Sequence, residues 1–109
     1  MQPNYVDNIS PSIKKFYRGL IDNGVDIVHG HSPHHVLQVE IYKEGVIMYS
    51  CGDFIDDYAI NDRYRNDLGF IADITPNEVT IYPTRISNMT VNFAIGEDSE
   101  KVFHNVEVD

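Results

Sequence analysis

The sequence is short of three things. It has a single cysteine, Cys51, in 109 residues. One thiol cannot close an internal disulfide, so nothing points to an oxidising compartment or to a cysteine-rich zinc site. Cations are also scarce, with 8 Lys and Arg against 17 Asp and Glu and a formal net charge of -9. Affinity for phosphate backbones comes mainly from Lys and Arg that release counterions, so nucleic acid is not an expected partner; anionic membranes are disfavoured likewise. Finally, the chain has neither an apolar run of about 18 residues nor a basic segment followed by an apolar one at its start. The expectation is no membrane span, no signal peptide, and a soluble cytoplasmic product.

What remains is an ordinary globular composition, 42% hydrophobic and 23% charged. The length fits one domain, which at this size buries only about 65% of the surface its unfolded chain exposes, a modest core. Two N-x-S/T triplets, at Asn8 and Asn88, bear on glycosylation only in a secreted protein.

Ser10-Pro11 opens the clearest helix. Ser10 can cap free amides, Pro11 suits the first helical position, and Ile13, Phe16, Tyr17, Leu20 and Ile21 recur at helical spacing. Lys14, Lys15 and Arg18 fall on the other side, and Asn23-Gly24 supplies a left-handed stop, so the helix should run from about residue 11 to 22. Val25 to Val28 is a short β-branched strand. Leu37, Val39 and Ile41 alternate with polar neighbours and, after Glu44-Gly45, meet the apolar run Val46 to Tyr49, which reads as a hairpin. Residues 50 to 67 show no sustained period and read as a long loop. Leu68 to Ile74 and Val79 to Ile86 are two further strands around a Thr75-Pro76-Asn77-Glu78 turn, with Pro83 placing the second at an edge or a bulge. Thr90 to Ala94 makes one more strand, and the acidic tail from Gly96 has no clear structure.

The chemistry concentrates in two stretches. His29-Gly30-His31-Ser32-Pro33-His34-His35 places four of the five histidines within seven residues, directly after a strand. Neutral imidazole is the commonest nitrogen ligand for zinc and similar metals, and a strand end presents it rigidly; the alternative is a polar surface loop, and no H-E-x-x-H type set completes a site. The second stretch is Ser50-Cys51-Gly52-Asp53-Phe54-Ile55-Asp56-Asp57. Asp53, Asp56 and Asp57 can orient a ligating imidazole or contact a metal directly. Cys51 fits a small packed residue better than a nucleophile, and spacing assigns it no histidine base. Arg63, Arg65 and Arg85 can receive an anion, but in so acidic a chain they are expected to pair with neighbouring carboxylates.

In order and spacing these two stretches resemble motifs of the CapA-like, poly-gamma-glutamate capsule biosynthesis proteins of the calcineurin-like metallophosphatase superfamily. Gly24 to His34 looks like their G-x-H-x-P-H region and Tyr49-Ser50-Cys51-Gly52-Asp53-Phe54 like their Y-S-L-G-N-F segment. The likeness covers roughly residues 3 to 94. It implies an α/β (α+β) fold, the distal half of a four-layer αββα sandwich, with one N-terminal helix plus a mixed sheet with hairpins. The partial domain would span 1–95, leaving 96–109 as an acidic tail. By the same resemblance His31 and His34 match the histidine motif, His34 is the catalytic candidate, and His29 is an additional metal candidate. Asp53 stands where many members have Asn, and the metal would be a divalent ion such as zinc, manganese or iron.

The sequence departs from that pattern too. Earlier Asp, Asn and His motifs of the family are not in this chain, and Met1-Gln2-Pro3-Asn4-Tyr5 looks like the end of an H-W-G-x-N-Y segment without its first residues. A two-metal centre needs bridging carboxylates. The expectation is therefore a capsule-related domain of hydrolase ancestry with no hydrolase activity of its own. The alternative is an interaction module, pairing as a homodimer or with a complementary half through an exposed sheet, where two histidine loops could share one metal.

Overall fold

A computed structural model describes residues 9–31, 33–53 and 64–107. The first element is the expected helix, α1 (Pro11–Asp22), with Ser10 Oγ accepting from the Ile13 amide at 3.4 Å and Pro11 in the first turn. It ends as the sequence suggests: Asn23 Nδ2 donates to the Gly19 carbonyl at 2.7 Å and Gly24 takes φ +102°. Strands β1 (Ile27–His29), β2 (Val39–Tyr42) and β3 (Gly45–Met48) form a mixed sheet in the order β1-β3-β2. β1 runs parallel to β3, with Val28 opposite Ile47, and β2 is the antiparallel partner from the expected hairpin.

Beyond the mixed sheet lies a second, wholly antiparallel one of β4 (Leu68–Ile74), β5 (Val79–Ser87) and β6 (Thr90–Phe93), in sequential order. Pro83 does not lie on an edge strand: β5 is central, and Pro83 pairs with Phe70 of β4. The edge rule survives locally. The Pro83 carbonyl accepts from the Ala94 amide just past the last paired residue of β6, and in a strand N and C=O of one residue face the same side. The missing N–H therefore falls where no ladder bond is needed. At the β5–β6 turn both Asn88 and Met89 have positive φ, as the tight hairpin turn compatible with strand twist demands. Residues 96–107, expected as a tail without clear structure, form a second helix, α2 (Gly96–Glu107).

Strand alternation divides the core in two. Ile47 and Tyr49 face α1 with Val28, Leu37 and Ile21, whereas Val46 and Met48 face the second sheet and meet Leu68 and Phe70. Val102 and Val106 of α2 join that second cluster, so α2 lies on the inner side of β4 and β5. A fully buried side chain such as Ile47 contributes about 1.5–3 kcal/mol. The outer face of the second sheet, with Ile71, Tyr82 and Phe93, stays exposed.

Candidate functional site

Parallel pairing of β1 with β3 puts the carboxyl ends of both strands side by side. The two chemistry-bearing stretches follow those ends directly, and the crevice beyond the carboxyl ends of parallel strands is where open α/β sheets bind ligands. The Gly30 amide donates to the Met48 carbonyl at 2.8 Å, and a Cβ on Gly30 would lie 2.6 Å from the Tyr49 carbonyl oxygen, so only glycine allows so close a turn. Ser50 Oγ donates to the Pro33 carbonyl at 3.0 Å and accepts from the Gly52 amide at 3.2 Å, holding the two loops together. Ser50 is buried and used in this brace, not presented as a nucleophile.

The outcome is a pair: His34 Nδ1 lies 2.9 and 3.0 Å from the two carboxylate oxygens of Asp53. Both side chains are largely covered, 23% and 18% exposed. A carboxylate accepts, so in the neutral ring the proton sits on Nδ1 and the lone pair on Nε2, the nitrogen through which such a carboxylate-backed imidazole can ligate a metal. Gly52 fixes Asp53 from the other side. Its φ is +76°, a Cβ there would lie 2.5 Å from the Leu68 carbonyl oxygen, and it bridges Gly69 of β4. The segment carrying Asp53 is thus bonded to both sheets.

The other candidates are distributed differently. His29 closes β1 on the strand face opposite Val28 and is exposed, as is His31. His35 is buried, its ring 4.8 Å from that of Tyr64. Among the described residues no three His, Cys, Asp or Glu side chains are grouped closely enough to hold a metal ion. Asp56 and Asp57, like Arg63, lie outside the described residues. The described donor set is one histidine, His34, steadied by a carboxylate, and among the described residues no third donor is grouped with this pair. Burial pushes the Cys51 thiol up to about 11, which keeps it protonated and unreactive at neutral pH.

Arg65 and Arg85 are held by acids, in line with the charge balance. Arg65 donates to both Asp67 oxygens, at 2.9 and 3.0 Å, and to Asp98 at 3.0 Å, while Arg85 reaches Asp67 and Asp98 at 3.4 and 3.1 Å. This network ties α2 to the start of β4 and to β5. A feature that sequence reading did not single out lies along α1, where Lys14, Lys15, Arg18 and Tyr42 line a cavity of about 370 Å³ with Ile9, Pro11 and Asp22. The available signal was a helix with no acidic residue in its first turn.

Comparison with known proteins agrees with this arrangement of motifs. A family profile described as "Bacterial capsule synthesis protein PGA_cap" matches residues 1–58. A probable polyglutamine synthesis accessory protein of Mycobacterium tuberculosis is 33% identical over 108 residues, covering 90% of this chain and 28% of that protein. The capsule biosynthesis protein CapA of Bacillus anthracis is 38% identical over 53 residues, 49% of this chain and 13% of that protein. An uncharacterized protein of Sinorhizobium fredii is 50% identical over 77 residues, 62% of this chain and 17% of that protein. The chain therefore spans less than a third of the length of each of these relatives.

Proposed function

The chain belongs to the bacterial capsule synthesis protein family, and from that premise we propose that it serves the biosynthesis of an anionic capsular or polyglutamate polymer, contributing the histidine loop of a metal-dependent, hydrolase-type centre. The observation that carries this reading is the His34–Asp53 pair at 2.9 Å. His34 would hold a divalent ion such as zinc, manganese or iron through Nε2; when bound, such an ion lowers the pKa of water and polarises the bond under attack. Asp53 keeps the proton on Nδ1 and fixes the ring plane. Gly30 and the Ser50 brace hold the loop against β3. A two-metal centre also needs bridging carboxylates, and none is grouped with this pair among the described residues. We therefore expect the chain by itself to hold such an ion only weakly, through His34, and not to turn over phosphate esters.

A second reading, a non-catalytic interaction module that pairs as a homodimer, is favoured by the exposed apolar face of Ile71, Tyr82 and Phe93. One experiment separates the two: zinc and manganese titrations by calorimetry, with light scattering on the same samples, for the wild type, His34→Ala and Asp53→Ala. The metal reading expects His34→Ala to abolish binding and Asp53→Ala to weaken it by about 10–100-fold, the usual loss when the carboxylate behind a ligating histidine is removed. A wild type that binds no metal but scatters as a dimer would leave the interaction module.

A further inference from the structure

We infer that Gly69 of β4 is a positioning residue for the His34–Asp53 pair: the space left by its missing side chain seats the Asp53 backbone, so that the second sheet sets how Asp53 meets His34. Gly69 lies inside the strand, between Leu68 and Phe70 and opposite Thr84 of β5. Its φ is outside the left-handed region, so the course of the chain does not ask for glycine there. A glycine inside a strand packs no side chain and weakens it, and it commonly marks a place where another backbone comes close. Here that backbone carries the site. A Cβ on Gly69 would lie 2.7 Å from the Asp53 carbonyl oxygen, 3.0 Å from that of Cys51 and 3.2 Å from Thr84 Oγ1.

The approach is glycine on glycine. Gly52 and Gly69 form an antiparallel bridge, and a Cβ on Gly52 would lie 3.0 Å from the Gly69 Cα. Beside the bridge the Phe70 amide donates to the Cys51 carbonyl at 3.0 Å. Gly69 and Thr84 share the outer face of the second sheet with Ile71 and Tyr82. Tyr82 is 44% exposed on that face and Thr84 only 2%, as expected if the Asp53 segment covers the Gly69 end and leaves the other end open.

A side chain at this position would be relieved at Asp53 and not at β4. β4 is held to β5 over seven residue pairs, and Leu68 and Phe70 anchor its inner side in the core. Residues 51–53 meet it through a single bridge and one backbone bond. Relieving a 2.7 Å contact takes a movement of about 0.5 Å, and the same movement carries a 3.0 Å hydrogen bond, such as that from His34 Nδ1 to Asp53, to the limit of its range.

What the pair is for rests on the proposed function; that Gly69 seats it is tested in the metal-free protein. The readout is the His34 tautomer, followed by long-range proton–nitrogen correlation NMR at about pH 8, where imidazole is neutral. Wild type should carry the proton on Nδ1. Asp53→Ala supplies the spectrum of the ring without its acceptor, and Gly69→Ala should move most of the way toward it. Val102→Ala, which opens the core between α2 and the second sheet without touching the seat, should keep the wild-type spectrum. A wild-type spectrum in Gly69→Ala, or an equal shift in Val102→Ala, would overturn the assignment. Should Gly69→Ala not fold, wild type decides by hydrogen exchange: the Phe70 amide should exchange as slowly as the amides of the β4–β5 ladder, and exchange as fast as at the β5–β6 turn would overturn the fixed seat. Zinc titrations separate the two readings. Gly69→Ala should bind roughly tenfold more weakly than wild type, whereas a wild type that takes up no zinc would sink the metal role and leave the metal-free spectra to decide the seat.

Discussion

Glu40 on β2 faces α1 and is pulled two ways. Burial pushes its carboxyl up, but hydrogen bonds from Arg18 and Tyr49 outweigh that and hold it below its ordinary value of 4.5. Burial and the same carboxylate push the Tyr49 hydroxyl well above the usual tyrosine range, so it stays a donor at any ordinary pH. A folded-state pKa below the unfolded one gives stability that is present above about pH 4.5 and is lost as pH falls through the folded value. Glu40→Gln should therefore cost about 1–3 kcal/mol at neutral pH, as for hydrogen bonds to a charged group, and toward the lower end because Arg18 is 40% exposed and solvent-screened. Urea denaturation at pH 7 and pH 3 checks the sign: the gap between wild type and variant should narrow in acid. An unchanged gap would trace the loss to packing and not to charge.

At the scale of elements, α2 turns on two side chains, Val102 with no exposed surface and Val106 a turn later. Val102→Ala should cost about 2 kcal/mol by leaving a cavity between α2, β4 and β5, read as a lower urea midpoint with unchanged slope. A neutral result would mean that the helix contributes little to the core. α2 was hard to read because its apolar face is so narrow and the acids around it dominate the composition. Glu97 and Asp98 in its first turn are nonetheless a helix-start signal. α1 and the strands were legible because caps, periodicity and β-branched alternation agreed there. What no pattern told was pairing: that β1 joins β3 in parallel, that β4 to β6 form their own sheet, and that Gly52 and Gly69 stitch the two. The site followed the same division. The histidine run and Asp53 stood out by residue type, but their meeting depends on the parallel pair, and Asp56 and Asp57 lie outside the described residues.

At the scale of the whole molecule, the net charge of -9 opposes any anion from a distance, while the lysines of the α1 groove attract it at contact. The two fields have different ranges. In about 0.01 M salt the screening length is about 30 Å, comparable to the molecule's 41 × 29 × 20 Å extents, so an approaching oligoglutamate feels every acid on the surface. In about 0.15 M salt the length shrinks to about 8 Å, and the approaching chain feels mainly the groove. The association rate of a fluorescein-labelled oligoglutamate, measured by stopped-flow anisotropy, should thus rise between these two conditions, while its dissociation rate rises as well because each lysine contact weakens. A protein steered by overall positive charge shows the opposite, an association rate that falls steadily with salt. Observing that fall here would mean that the groove's field reaches past the acidic surface, and that the net charge plays no part in which anions the protein admits.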